Sequence, residues 1–218
     1  MSLAPTIQGV LFSATYDDEV MKFAGNIIPN PTIIRLKREE ESLESIAQYY
    51  IKCKVQEEKY QALANIYAFI EIGQAIVFCQ TRKSAHFLAG KMSKDGHSVA
   101  ILSGDMDISA RVDVLNRFRE GKEKLLITTN LCARGLDIEQ ITLVINYDLP
   151  LDLMGNTDFE TYLHRIGRTG RFGKKGIAIN FIDGPDNMQR LQTIQQHFGR
   201  PIKCLDTDNY EQLENIAV

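Results

Sequence analysis

From about residue 46 onward, short apolar runs alternate with segments whose apolar positions recur at helical spacing. Ala75 to Cys79, Val99 to Leu102, Leu125 to Thr128, Thr142 to Tyr147 and Gly176 to Ile182 are bounded by polar residues or glycine and predict strands. Over Glu57 to Ile70, Tyr60, Leu63, Ala64, Tyr67 and Ile70 share one face of a predicted helix. Ala85, Leu88, Ala89 and Met92 repeat the pattern before Gly96, as do Val114, Leu115 and Phe118 before Gly121. Gly73, Gly96 and Gly121 each stand where a left-handed residue closing a helix is expected. Strand, helix, strand with short connections predicts right-handed crossovers, hence an α/β fold with a mostly parallel sheet and helices on both faces. Ligands of such sheets bind beyond the carboxyl ends of the strands. Those ends carry Gln80-Thr81-Arg82, Ser103-Gly104-Asp105, Thr129-Asn130 and Asp148.

The first 45 residues read differently. A strand-like Val10 to Phe12 leads into Ser13-Ala14-Thr15, an amphipathic helix follows from Asp17 to Ile28, and Pro29-Asn30-Pro31 breaks it before a strand from Thr32 to Leu36. Lys37 to Glu41 mixes both signs of charge over a few residues, as a solvated linker does. The domain boundary is placed near Glu44, giving segments 1–43 and 44–218.

Composition narrows the function. A chain of 218 residues that is 44% hydrophobic buries one sizeable core and little more. Lysine and arginine total 25 against 28 acidic residues, a net charge of -3, so the chain does not coat nucleic acid through bulk charge and any such contact is local. Cys53, Cys79, Cys132 and Cys204 form no C-x-x-C pair and have no histidine at ligand spacing, so they read as reduced, buried thiols and not as a zinc site or disulfide framework. No apolar run reaches the length of a membrane span, and the opening Met-Ser-Leu-Ala-Pro lacks the features of a leader.

The most informative string is His164-Arg165-Ile166-Gly167-Arg168-Thr169-Gly170-Arg171. Arginines at every third position fall near one face of a helical turn and offer planar forks suited to phosphate oxygens. A solvated basic helix end is the simpler reading of any lone R-x-x-R. Two glycines argue against it, since each costs about 1 kcal/mol relative to alanine inside a helix.

This string resembles motif VI of the DEAD-box RNA helicases. Ser13-Ala14-Thr15 resembles motif III, Val77-Phe78-Cys79-Gln80-Thr81 motif IV, Gly104-Asp105-Met106 with Arg111 motif IVa, and Thr129-Asn130-Leu131-Cys132-Ala133-Arg134-Gly135-Leu136-Asp137 motif V, in the family's order. The resemblance implies a C-terminal RecA-like domain over 44–218, with 1–43 a remnant of the N-terminal helicase domain. It implies arginine fingers at Arg168 and Arg171 reaching the γ-phosphate, a coupling histidine at His164, and ATP contacts from Gly135 and Asp137. RNA contacts are implied for Thr81, Arg82, Gly104, Arg111 and Thr129; each alone reads more simply as a cap, turn or surface residue, Thr81 as the cap of the helix that follows and Asp107 of the next, but their shared edge favours the RNA reading.

Where most members have His-Gly, Gln and Thr-Asp, this chain has Ser103-Gly104, Ile108 and Thr129-Asn130. No polar RNA contact is therefore expected from position 108, and Asn130 removes one charge. The same departures, the Lys37 to Glu41 stretch, Gln48-Tyr49-Tyr50 and the Leu151 to Phe159 insertion resemble the branch that remodels messenger ribonucleoprotein at the nuclear pore. That implies single-stranded RNA or ribonucleoprotein, Gle1 with inositol hexakisphosphate and a nucleoporin as partners. It also implies cytoplasm and nuclear pore as location, with the nucleus open. No G-x-x-x-x-G-K-[S/T] loop and no Asp-Glu-Ala-Asp string occurs, so ATP and Mg²⁺ are expected to be held mainly by an N-terminal domain, and this chain alone to be inactive. The competing readings are a non-catalytic RNA or protein docking module and a related translocase acting on DNA.

Overall fold

A computed structural model describes residues 7–12, 18–34, 43–69, 73–130, 140–171, 173–206 and, singly, 209, 211, 213 and 216. Two compact units are distinguished, Met1–Glu41 and Ser42–Val218. In the first, the expected helix forms as α1 (Asp18–Ile27). The expected strands do not form among the described residues: 7–12 and 31–34 are irregular, with Phe12 91% and Ile34 88% exposed, and Arg35 and Leu36 of the second run lie outside the described residues. A strand exists by pairing its backbone with a neighbour along its length, and among the described residues no strand precedes Ile46. Ser13-Ala14-Thr15 and the charged stretch lie outside the described residues.

The second unit contains β1 (Ile46–Cys53), α2 (Gln56–Phe69), β2 (Gln74–Phe78), α3 (Arg82–Lys94), β3 (Val99–Leu102), α4 (Ile108–Arg119), β4 (Leu125–Thr128), β5 (Ile141–Asn146), α5 (Phe159–Ile166), β6 (Gly176–Asp183), α6 (Gly184–Phe198) and β7 (Lys203–Cys204). The predicted strands appear within about a residue of their expected ends. They form one seven-stranded sheet in the order β3-β4-β2-β5-β6-β1-β7, and every pairing is parallel. Alternate strand residues face opposite layers. Val77, Ile127, Ile145 and Ile179 pack under α2 and α3, Ile76, Phe78, Leu126 and Val144 under α4, and Ile46, Ala178 and Ile182 under α5 and α6. Because both faces are covered, the strands read as continuous apolar runs instead of alternating ones.

Caps fix the helix ends. Gly96 and Gly121 adopt the left-handed conformation expected after α3 and α4. Gly73 does not. A side chain there would stand 3.1 Å from the Gln140 carbonyl oxygen, so this glycine permits close approach and does not terminate a helix. On α2 the buried stripe is Lys59, Tyr60, Ala62, Leu63 and Ile66, rotated from the expected face because a lysine occupies a core position. Helix α6, not anticipated in the sequence, starts with Pro185 in its first turn and stops at left-handed Gly199. Cys53 and Cys79 are buried, and burial pushes their thiols up to about 11 and about 12. Cys204 departs from expectation in being exposed, since it lies on the edge strand β7; Cys132 is outside the described residues.

Candidate functional site

Strands β3, β4 and β2 are neighbours, so the residues that follow them, Gly104, Thr129 and Thr81, line up along the carboxyl edge of the sheet. The ends are laced together. Thr128 Oγ1 donates to the Leu102 carbonyl at 2.9 Å, and the Cys79 N–H donates to that of Thr128 at 2.9 Å. Thr81 is an N-cap, accepting from the Ser84 N–H at 3.1 Å, and Asp107 caps α4 by accepting from the Ala110 N–H at 2.7 Å. Arg82 and Gly104 are exposed, Arg111 is half-buried on α4, and Thr129 is buried. His86 on α3 lies 3.6 Å from Asp105 in the turn after β3. The chain crosses from β4 over β2 to β5, which makes this edge the switch point where doubly wound sheets place ligands.

Asp148, just past β5, closes the edge. Its Oδ2 accepts from the Gln80 N–H at 2.9 Å and its Oδ1 from Lys59 Nζ at 3.1 Å. Lys59 is 1% exposed, and its ammonium also reaches Asp183 Oδ2 at 2.9 Å and the Tyr147 carbonyl at 3.0 Å. Burial works to lower the pKa of Lys59, but Asp148 and Asp183 outweigh it and hold the ammonium above its usual range. Burial likewise works to raise Asp183, yet Lys59 and Asn187 keep its carboxyl below the ordinary value.

On the opposite face of the sheet lies Arg165. The three-residue spacing of Arg165, Arg168 and Arg171 does not place them on one helical face, because α5 ends at Ile166 and the chain continues as a tighter turn. Arg165 is 2% exposed and points into the domain. Its Nε donates to Asn130 Oδ1 at 2.7 Å, and its Nη1 donates to Asn146 Oδ1 at 2.9 Å and the Asp148 carbonyl at 2.7 Å. The guanidinium carbon lies 4.9 Å from the centre of the Phe78 ring. Burial pulls this guanidinium down to about 10, opposed by Asp148. The neutral Asn130 thus accepts from a cation where a carboxylate would have paired with it.

From Arg165 a buried polar stripe crosses the sheet. Asn146 Nδ2 donates to Asn180 Oδ1 at 2.8 Å, Asn180 Nδ2 donates to the Tyr49 carbonyl and Tyr162 Oη, and Tyr162 Oη donates to Gln48 Oε1 at 2.8 Å. Such a network anchors α5 in one position, since breaking any link leaves a buried polar group unpaired at about 1–3 kcal/mol.

The arginine turn itself sits at the other end of the strands. Thr169 Oγ1 donates to the carbonyl of Ile141, the first residue of β5, at 3.0 Å. Ser45, just before β1, donates through Oγ to the Gly170 carbonyl at 2.8 Å, and its own carbonyl accepts from the Gly176 N–H at 2.8 Å. A Cβ on Gly176 would lie 2.4 Å from both the Gly170 nitrogen and Thr169 Oγ1, and one on Gly170, whose φ is +70°, would lie 2.7 Å from Ile46 Cγ1. Only bare backbone fits. On this base Arg168 Nε donates to the His164 carbonyl at 3.0 Å and Arg171 Nε to the Gly167 carbonyl at 2.7 Å. Both arginines and His164 are half-buried.

The structure thus brings Thr81, Arg82, Gly104 and Thr129 together, with Arg111 on the helix that follows, and sets His164, Arg168 and Arg171 apart from them. Gly135 and Asp137 lie outside the described residues. Lys59, Asn146 and Asn180 escaped the sequence reading, although a signal existed: Ile145-Asn146-Tyr147 and Ile179-Asn180-Phe181 repeat one pattern in adjacent strands. Among the described residues, no group of three or more His, Cys, Asp or Glu is placed to hold a metal ion, and no helix is long and apolar enough to cross a membrane. The guanidinium donors of the turn fit phosphate oxygens; they do not fit a cation.

Residues 58–173 match the helicase conserved C-terminal domain. The chain is 58% identical over 210 residues to the ATP-dependent RNA helicase DDX19A of Mus musculus, covering 96% of this chain and 44% of that protein. It is 58% identical over 215 residues to the DEAD-box helicase Dbp80 of Drosophila melanogaster, covering 99% and 47%. The chain therefore spans less than half the length of these relatives. Among solved structures, S. cerevisiae Dbp5 bound to RNA and ADP BeF3 superposes with a TM-score of 0.90 at 42% identity, covering 98% of this chain and 55% of that one. The C-terminal domain of the DEAD-box protein Dbp5 gives 0.74 at 43% identity, covering 80% and 98%. An S. cerevisiae Dbp5 variant bound to Nup159, a Gle1 variant, IP6 and ADP gives 0.79 at 40% identity, covering 98% and 55%.

Proposed function

The chain belongs to the DEAD-box RNA helicases, whose C-terminal RecA-like domain it contains, and from that premise we propose that it is the half of an RNA-dependent ATPase that supplies arginine fingers and RNA backbone contacts. The observation that carries the reading is the arginine turn: Arg168 and Arg171 are each tied back by Nε to the carbonyl four residues earlier, on a base that tolerates no side chain at Gly170 or Gly176. Guanidiniums held in this way lose little freedom when they meet a phosphate, and preorganised charge is what stabilises a transferring phosphoryl group. ATP, when bound, supplies that group. Arg168 and Arg171 would hold its terminal phosphate, with Gly135 and Asp137 at the sugar and Mg²⁺ left to a partner half. His164 gives its carbonyl to Arg168 and positions the first finger.

Along the carboxyl edge, Thr81, Arg82, Gly104, Arg111 and Thr129 would grip RNA through phosphates and sugars, which suits a motor indifferent to sequence. Segment 1–43 would belong to the N-terminal helicase domain. The likeness to Dbp5 structures holding RNA, Gle1, IP6 and Nup159 supports a role in remodelling ribonucleoprotein during mRNA export, at the nuclear pore and in the cytoplasm, with partners of those kinds. Alone, without a phosphate-binding loop, the chain is expected not to hydrolyse ATP.

The test is ATP turnover with and without single-stranded RNA, on a polypeptide joining the chain to such an N-terminal half. Arg168→Ala and Arg171→Ala should each lower turnover by about 10³-fold or more while nucleotide still binds. Turnover that survives both substitutions, or RNA binding without any turnover, would favour a docking module instead.

A further inference from the structure

We propose that Asp148, anchored by Lys59, is a positioning residue that joins the RNA edge and the arginine helix into one mechanical unit. Every polar group of Asp148 is in use. Its N–H donates to the Phe78 carbonyl at 3.3 Å, its carbonyl accepts from Arg165, its Oδ1 from Lys59 and its Oδ2 from the Gln80 N–H. Gln80 directly precedes Thr81, the cap of α3, and Arg165 lies on α5 three residues before Arg168. The two cations approach Asp148 from opposite faces of the sheet, Lys59 from the α2 layer and Arg165 from the α5 layer. A shift of the Gln80-Thr81 backbone therefore cannot occur without moving Asp148, and Asp148 cannot move without disturbing Arg165.

Stability alone does not account for Lys59. Replacing a whole buried ion-pair cluster with well-packed apolar groups is often neutral or stabilising, whereas removing the lysine alone leaves Asp148 and Asp183 without their cation. What an apolar residue cannot do is hold the two carboxylates of β5 and β6 in fixed orientation, with Asp148 Oδ2 turned to Gln80. Arg165, with partners on Asn130 and Asn146 as well, supplies the connection onward to α5. Packed elements linked in this way switch between discrete arrangements and do not deform smoothly, which is what coupling between two sites requires.

The inference rests on the proposed function, and its test separates the two. The affinity of the joined polypeptide for a labelled single-stranded RNA is measured without nucleotide and with ADP–beryllium fluoride; the ratio is the coupling factor. Lys59→Met is expected to reduce that factor about tenfold, with RNA affinity in the absence of nucleotide within about twofold of the parent. Asp148→Asn should do the same, because one of the two acceptor oxygens becomes an N–H donor set against Lys59 or the Gln80 N–H, themselves donors. Lys59→Arg, which keeps a cation, should retain more of the factor than Lys59→Met. If Lys59→Met does not fold, Asp148→Asn decides. A parent factor above one that both variants keep, whatever their melting temperatures, overturns the positioning role and leaves the helicase reading intact. A parent factor of one removes that reading and this inference with it.

Discussion

At the carboxyl edge, Thr81 and Asp107 commit their side chains to capping helices, Arg82 and Gly104 face solvent, and the strand ends are joined by single hydrogen bonds. At the arginine turn the reverse holds. Thr169 is buried, Gly170 lies against Ser45, Gly176 lies against Gly170, and the two arginines are tied to the backbone beneath them. The two regions occupy opposite edges of one sheet, the carboxyl ends of β2, β3 and β4 and the amino ends of β5, β6 and β1. An edge that must follow a flexible polymer tolerates adjustable, hydrated contacts, whereas charge aimed at a reacting phosphate loses its value if it must first reorganise. The difference in construction is what the binding roles proposed for the two regions would require.

The largest effect should come from the residue that links them. Arg165→Met leaves Asn130 and Asn146 facing an apolar side chain, and should lower stability by about 3–5 kcal/mol, seen as a fall of roughly 10 °C in melting temperature. A smaller loss is expected from Lys59→Met, with a distinct pH signature. Asp183 is held below 3.8, so its contribution is present above that value and is lost as pH falls through its lowered folded value. Lys59 is held above 10.5, so its contribution is present below that value and is lost only at higher pH. Removing Lys59 should therefore move the acid-unfolding midpoint, followed by circular dichroism, to higher pH. An unchanged midpoint would mean the ion pairs contribute nothing to the folded state.

Gly176→Ala tests the turn directly. The added methyl meets the Gly170 nitrogen and Thr169, and should cost about 1–3 kcal/mol while reducing ATP turnover of the joined polypeptide more than its RNA affinity. Equal losses in both would erase the contrast between the two ends. The smallest effects belong to the edge. Thr81→Ala and Asp107→Ala each remove a cap worth about 1 kcal/mol, so their melting temperatures should fall alike. Only Thr81→Ala should weaken RNA binding, and a matched loss in both would reduce Thr81 to a cap.

Most of the sheet was legible because strands buried on both faces must be apolar throughout, and such runs are visible in one dimension. The caps were legible for a similar reason, since Thr81 and Asp107 act on residues three positions away. Arg165 was misread because sequence spacing records a residue's place on an ideal helix and not where that helix stops. Lys59 was passed over because a lysine among apolar positions normally marks a solvated face, and only the sheet order brings Asp148 and Asp183 beside it. The arginine turn's closeness to Ser45 depends on a contact across 125 residues, which no local pattern encodes.

The paired asparagines have a further consequence, for how the strands find their alignment. In β5 and β6, an offset of one residue would exchange the two faces of a strand and is resisted by the whole core. An offset of two preserves facing, and among runs of valine, isoleucine and leucine it would be resisted only weakly. Asn146 stands directly across from Asn180, and a two-residue slide would set Asn146 against Ala178 or Ile182, neither of which can answer its amide. The pair acts as an index mark between otherwise interchangeable strands. Asn146→Leu combined with Asn180→Leu should therefore yield a protein that is still compact but folds with misaligned, slowly exchanging forms.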